Sequence, residues 1–231
     1  MSDIALFDLR LGPDALERCR SWLDGPERAQ AERFRYGRDR DRFIARRGQL
    51  RARLAEEVGG SPAELRIRAD DFGKPFLPDH PELRFNLSHS RDLALFVVVE
   101  GAEVGCDIEW RNPELACPGV ARRLFAPAEV AALENLPQGQ WVQGFFNCWT
   151  RKEAYVKALG LGLSYPLDAF TVSVGEQATL LEALPGWSLT SFEPAPGYQA
   201  ALVTGSPCIR PSASATASCS IGRANRPIQA E

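Results

Sequence analysis

Arg84-Phe85-Asn86-Leu87-Ser88-His89-Ser90, Leu93-Ala94-Leu95-Phe96-Val97-Val98-Val99 and Val104-Gly105-Cys106-Asp107-Ile108-Glu109 follow one another with only short polar breaks between them. The first two runs read as strands joined by a tight turn at Ser90-Arg91-Asp92, and Glu100-Gly101-Ala102-Glu103 turns the chain into the third. Links this short suit antiparallel pairing. Residues i and i+2 of a strand share a face, so Asp107 and Glu109 project together while Ile108 turns the other way.

Upstream, Ile4 to Leu9 can form a strand and Pro26 onward is helical in pattern. A longer helix is expected from about Arg38 to Val58, where Phe43, Leu50, Leu54 and Val58 make one apolar stripe. Gly73-Lys74-Pro75 is a turn signal, and Asp70 to Pro81 reads as mostly loop. Downstream, helical pattern returns from about Pro113 to Leu136. A long helix follows from Trp141 to Leu159, closed by Gly160 and Gly162. Four short strands are expected near 169–174, 178–182, 187–193 and 198–204. Helices and hairpins thus occur in both halves without strict strand-helix alternation, so the class is α+β. From residue 205 to 231 serine and alanine are frequent and aromatic residues absent, so this stretch is expected to be a disordered tail.

A length of 231 residues admits one large domain or two halves of roughly a hundred residues each. The hydrophobic share of 45%, charged share of 25% and net charge of −3 are those of a globular protein without a polyelectrolyte partner. Cysteines at 19, 106, 117, 148, 208 and 219 show no metal-binding spacing, and no secretory leader precedes them. Reduced thiols and a cytoplasmic location are therefore expected. The longest uncharged apolar stretch, Leu93 to Val99, is too short to span a bilayer, so no membrane association is expected.

Of 27 basic residues only Lys74, Lys152 and Lys157 are lysine. In a chain that otherwise uses arginine, a lysine marks a place suited to a compact point charge instead of a planar fork. From Arg28 to Arg53 ten arginines face three acids, a local excess of seven positive charges. Such a face is ordinarily solvated, or else it binds phosphate or nucleic acid. No nucleic-acid motif accompanies it, so a nucleic-acid partner is not expected.

Trp149-Thr150-Arg151-Lys152-Glu153-Ala154-Tyr155-Val156-Lys157 places Glu153 and Lys157 on one helical face. Asp107, Glu109 and Glu153 offer oxygen only, which suits a hard cation, above all Mg²⁺, sharing a phosphate-bearing ligand. Lys157 could then neutralise charge on a phosphoryl leaving group. The plainer alternative for Glu153 and Lys157 is an exposed ion pair worth about 0.3–0.5 kcal/mol. His89 has a plain alternative too, as a satisfied structural histidine, although Ser88 and His89 are donors of a kind that phosphates accept.

Taken in order, Gly73-Lys74-Pro75, Phe85-Asn86-Leu87-Ser88-His89-Ser90, Val104-Gly105-Cys106-Asp107-Ile108-Glu109 and Trp149-Thr150-x-Lys152-Glu153-Ala154-x-x-Lys157 resemble the 4′-phosphopantetheinyl transferases. The likeness is to the larger, monomeric type that activates peptide and polyketide synthetases, and it runs from near Ile4 to about Thr204. It implies two similar α+β halves, residues 1–100 and 101–204, related by a pseudo-twofold axis with the active site in the cleft between them. It also implies transfer of the phosphopantetheine arm of coenzyme A to a serine of an apo acyl or peptidyl carrier protein, with release of adenosine 3′,5′-bisphosphate. By this resemblance Asp107, Glu109 and Glu153 hold Mg²⁺, and Lys157 contacts the diphosphate. Lys74, Ser88, His89 and Arg33 surround the nucleotide and its 3′-phosphate, and Glu153 is a candidate acceptor of the serine proton. Another basic phosphate contact of the family falls on Gln30. A metal-dependent phosphohydrolase and a non-catalytic coenzyme A or carrier-binding module are the rivals. The first would need a further water-activating group; the intact Asp107, Glu109, Glu153 and Lys157 speak against the second.

Overall fold

The computed structural model describes residues 3–162, 165–182 and 186–205. The expected tail lies outside the described residues apart from Gly205, which closes the last strand.

The first half runs β1 (Asp3–Asp8), α1 (Pro13–Trp22), α2 (Gly25–Glu32), α3 (Gly37–Val58), β2 (Arg68–Ala69), β3 (Pro75–Phe76), β4 (Leu83–Ser90) and β5 (Leu93–Glu100). The second repeats that course with β6 (Glu103–Trp110), α4 (Pro118–Leu124), α5 (Pro127–Glu134), α6 (Trp141–Leu159), β7 (Thr171–Val172), β8 (Leu180–Glu182), β9 (Trp187–Phe192) and β10 (Tyr198–Gly205). Each half is a strand, three helices, a short two-stranded ribbon and a hairpin. In each, the first strand pairs with the last and the last with its predecessor, giving the orders β1-β5-β4 and β6-β10-β9, antiparallel throughout. The protein is thus α+β, built from two similar halves.

Alternation along β5 explains how the halves stack. Ala94, Phe96 and Val98 face α3, where they join Phe7, Leu50, Leu54, Leu77 and Phe85 in one core. Leu95, Val97 and Val99 face the other way and pack with Val104, Cys106, Ile108, Tyr198 and Ala200. A strand buried on both faces needs an apolar residue at every position, which is why Leu93–Val99 is unbroken. On the far side of the second sheet, Ala201 and Val203 pack under α6 with Phe145, Phe146, Tyr155 and Leu159. The layers are therefore α3, first sheet, second sheet, α6.

The two long helices end by the same device. Gly59 and Gly160 adopt left-handed φ of 68° and 70°, and their N–H groups donate to Ala55 and Val156 carbonyls. The helix expected from Arg38 is Gly37–Val58, but its buried stripe is wider than expected, adding Ile44, Ala45, Gly48, Arg51 and Ala55. Helix α1, absent from the sequence reading, carries a thin apolar stripe and lies close to α3. A Cβ at Gly48 would stand 2.3 Å from Cys19 Cβ, so the glycine permits the approach. The expected helical stretch 113–136 is two helices, because Pro127 lacks the N–H to continue α4 and instead opens α5. The Asp70–Pro81 loop contains one short strand, Pro75–Phe76, which pairs with Arg68–Ala69 just before it. The strand expected over 169–174 is reduced to Thr171–Val172, after a 3₁₀ turn at Leu167–Ala169.

Much of the arginine excess is used inside the first half. Arg51 is fully buried; it donates to Glu27 and Asp24 at 2.6 and 2.7 Å and to the carbonyls of Pro62 and Leu65. Glu27 also completes the capping box of α2 with Asp24 and pairs with Arg47. Arg42 is paired with Asp92, and Arg53 with Asp3, Glu56 and Glu57. The basic face expected over α2 and α3 is to that extent a set of internal fasteners.

Gly105 sets how closely β6 approaches α6. A Cβ there would stand 2.2 Å from the Ala154 carbonyl oxygen and the Ala158 nitrogen, both backbone atoms that cannot swing aside. Gly105→Ala is expected to lower folding stability by about 3 kcal/mol, near the upper end for overpacking, as a shift in urea unfolding midpoint. An unchanged midpoint would refute this account of the packing.

Candidate active site

Asn86, Ser88 and Ser90 occupy alternate positions of β4 and face β6 together. Asn86 Oδ1 accepts the Cys106 N–H at 2.9 Å, Ser88 Oγ donates to Asp107 Oδ1 at 2.8 Å, and Ser90 Oγ donates to Glu109 Oε2 at 2.8 Å. Ser90 Oγ also accepts the Trp110 N–H at 3.0 Å. Residue numbers rise together on both strands, so β4 and β6 run parallel along a seam that these side chains bond. Asp107 and Glu109 share a face with Gly105, so the close approach of α6 brings both acids to Glu153 and Lys157, one helical turn apart. Lys157 Nζ donates to Asp107 Oδ1 at 2.5 Å and to Ser88 Oγ at 3.0 Å. Its direct ion pair is therefore with Asp107 on the adjacent strand β6, and not with Glu153 on its own helix.

The acids repel one another in a poorly hydrated place. Burial first, and then the Asp107 carboxylate, push the Glu109 pKa up to about 8, against the Ser90 hydrogen bond and Lys157. Burial and Asp107 also raise Glu153, with Lys157 opposing. For Lys157 burial pulls downward, but Asp107 and Glu153 together outweigh it and hold the ammonium above the usual lysine range. The cluster is short of positive charge, and one lysine supplies what there is.

That deficit fits a divalent cation in kind. Asp107 Oδ2 is buried and, among the described residues, has no hydrogen-bond partner, and the ligand set is oxygen only. Among the described residues, no three acidic, histidine or cysteine side chains are already disposed to hold one ion. Asp107, Glu109 and Glu153 meet electrostatically, and closing on a metal would take side-chain adjustment.

Ser88 and His89 are consecutive and so turn to opposite sides of β4. His89 faces α3, where Arg46 donates to its Nε2. The ring keeps an exposed edge, yet local desolvation, then Arg46, Lys157 and Arg42, push its pKa down to about 3. It is a neutral acceptor at pH 7. Beside it opens a cleft of about 410 Å3 lined by Arg46, Arg47, Arg68, Gly73, Pro75 and His89 over the apolar Leu50, Ile67 and Leu87. Among the described residues no carboxylate pairs with Arg46 or Arg68, in contrast with Arg47 and Arg51, which Glu27 holds. Cationic walls over an apolar floor suit a ligand that is part phosphate and part flat ring.

The structure thus brings together Asp107, Glu109, Glu153, Lys157 and Ser88, with His89 on the other side of the same strand. Arg33 sits exposed at the C-terminal end of α2 and, among the described residues, makes no hydrogen bond or ion pair with this group. Lys74 is apart as well: its ammonium is held by Glu103 and the Ala158 carbonyl, although Gly73 and Pro75 beside it line the cleft. The sequence reading did not single out Asn86, Ser90 or Arg46. The first two carry a signal, since they stand two before and two after Ser88. Arg46 carries none, because only the fold separates it from nine neighbouring arginines.

Two family models divide the chain between them. Residues 13–101 match "4'-phosphopantetheinyl transferase, N-terminal", and residues 103–202 match the "4'-phosphopantetheinyl transferase superfamily". Among curated proteins, the chain is 37% identical over 175 residues to the 4'-phosphopantetheinyl transferase HetI of Nostoc sp. (strain PCC 7120 / SAG 25.82 / UTEX 2576), covering 74% of each chain. It is 32% identical to the 4'-phosphopantetheinyl transferase psf-1 of Bacillus pumilus, over 83% of each chain. It is 27% identical to the 4'-phosphopantetheinyl transferase Sfp of Bacillus subtilis (strain 168), over 87% of this chain and 90% of the relative. Fold, site and these matches define a transferase of two paired halves. The chain belongs to the 4′-phosphopantetheinyl transferase family.

A carboxyl whose folded pKa rises from 4.5 to about 8 favours folding when protonated, so its stabilising contribution is full below 4.5 and is lost as pH rises through 8. Chelator-treated protein is expected to show urea midpoints that fall across that window, and Glu109→Gln should remove most of the slope. A variant retaining the wild-type slope would mean that Glu109 is not the titrating group.

Proposed function

We propose that this transferase moves the 4′-phosphopantetheine arm of coenzyme A onto a serine of an apo acyl or peptidyl carrier protein, releasing adenosine 3′,5′-bisphosphate. The observation that carries the reading is the placement of Ser88 and His89 on opposite sides of one strand. Ser88 and Lys157 stand with the acid cluster; His89 and Arg46 stand with the cleft. Coenzyme A has a diphosphate for the first and a 3′-phosphorylated adenosine for the second.

In this reading Arg46 and His89 receive the 3′-phosphate end, with Arg33 and the Gly73-Lys74-Pro75 loop at its margin. The carrier serine Oγ attacks the phosphorus that bears the pantetheine. The bridging P–O bond breaks, and the electron pair leaves on the 5′-phosphate oxygen of the adenosine product. Lys157 neutralises that oxygen, and the site stabilises developing charge without forming a covalent intermediate. Glu153 takes the serine proton. Asp107, Glu109 and Glu153 would hold Mg²⁺, which when bound supplies charge to the diphosphate. We assign the two halves to residues 1–100 and 101–204, acting together as a monomer in the cytoplasm. Free thiols at Cys19, Cys106, Cys117 and Cys148 and the absence, among the described residues, of a helix able to cross a membrane are consistent with that location.

The test is mass spectrometry of a panel of apo carrier proteins after incubation with coenzyme A and Mg²⁺. A gain of one phosphopantetheine, abolished by EDTA and lowered by Asp107→Ala about a hundredfold or more, is expected. Folded carriers left unmodified while coenzyme A is hydrolysed would overturn it in favour of a phosphohydrolase. A second expectation concerns the cleft: Arg46→Ala should erode the preference for coenzyme A over 3′-dephospho-coenzyme A about tenfold. An intact preference would move the 3′-phosphate elsewhere.

A further inference from the structure

Lys74 belongs by sequence to the nucleotide-binding loop, yet its ammonium is directed elsewhere. Its Nζ donates to Glu103 Oε2 at 2.9 Å and to the Ala158 carbonyl at 3.0 Å. The Lys74 side chain is 9% exposed and that of Glu103 is 3% exposed. Arg84 is a second partner of the same glutamate, at 3.3 Å. Pulling Lys74 away to meet a ligand phosphate would leave a buried carboxylate with less compensation, a costly exchange.

The loop that presents Lys74 is built to hold it. Asp70 Oδ1 accepts the N–H groups of Phe72 and Lys74 at 3.0 and 2.9 Å, and Asp70 N–H donates to the Lys74 carbonyl at 3.0 Å. Gly73, with φ of 86°, closes the turn. The lysine stem then runs over Gly160, where a Cβ would stand 3.2 Å from Lys74 Cδ. Ala158 is in the last turn of α6, whose carbonyls lack donors within the helix and favour a cation. The residue before it is Lys157.

We propose that Lys74 is a positioning residue: its ammonium, fastened to Glu103 and the Ala158 carbonyl, clasps the last turn of α6 to the first half and so holds Lys157 against Asp107 and Ser88. This rests on the transferase reading above for what Lys157 does, but the clasp itself is a matter of structure. The lysine joins the loop between β2 and β3 to β6 and α6, so one side chain ties three elements across the two halves. Its service to the nucleotide is through the loop backbone it anchors.

Lys74→Met is the test, assayed with coenzyme A and with 3′-dephospho-coenzyme A at a temperature where the variant is folded. Because Lys157 serves the diphosphate common to both, kcat/KM should fall about tenfold for each alike. In a Lys157→Ala background the same change should cost less than about twofold, since the residue acts through Lys157. Amide exchange over residues 156–160 should quicken. Lys74→Met with Glu103→Gln removes the stranded carboxylate, and serves if the single variant does not fold. Three results would overturn the proposal: a loss confined to coenzyme A, which makes the ammonium a 3′-phosphate contact; unchanged turnover with only a lower melting temperature; or full additivity with Lys157→Ala. If wild type modifies no carrier, the transferase reading fails, and the exchange measurement alone then decides the clasp.

Discussion

Three polar side chains on one face of a strand hold the two halves in register. Asn86, Ser88 and Ser90 bond β6 at successive positions, and two of those bonds end on Asp107 and Glu109. A seam bonded by side chains can include carboxylates that a backbone ladder would leave aside. The interface and the acid cluster are therefore one construction. Ser90 shows the economy, accepting from the Trp110 N–H while donating to Glu109.

Charge in this protein divides into fixed and available. Arg51 and Lys152 are fully buried cations whose bonds are made inside the fold; Lys152 meets Glu129 at 2.7 Å and the carbonyls of Leu167 and Phe170. Breaking such a pair leaves an uncompensated ion, which is why these positions act as fasteners. Arg46 and Lys157 differ: one touches a neutral histidine and the other a carboxylate whose second oxygen has no partner among the described residues. The site is found where charges are left only partly balanced.

The strands and the two long helices were legible because their apolar periodicity is strong and glycine marks their ends. Legibility failed where short elements depend on contact: α1 is secured against α3 through Gly48, and the small β2–β3 ribbon is too short to show a period. In the site, the shared face of Asp107 and Glu109 followed from strand alternation, and the burial of Ile108 agrees with it. The partner of Lys157 did not follow. Helical spacing offers Glu153, whereas the ion pair lies with a strand 50 residues earlier.

The order of residues is enough to establish the class of fold, the order of its motifs and the family they resemble, because periodicity, turn residues and local spacing are properties of neighbours along a chain. It did not determine which cation serves which anion. Lys74 and Lys157 both stand in motifs, and only the packing of β6 against α6 sends one to Glu103 and the other to Asp107. Ten arginines between residues 28 and 53 look alike in sequence, and the fold fastens some while leaving Arg46 on the cleft. Such choices rest on distances between segments far apart in the chain, and only tertiary structure sets those distances.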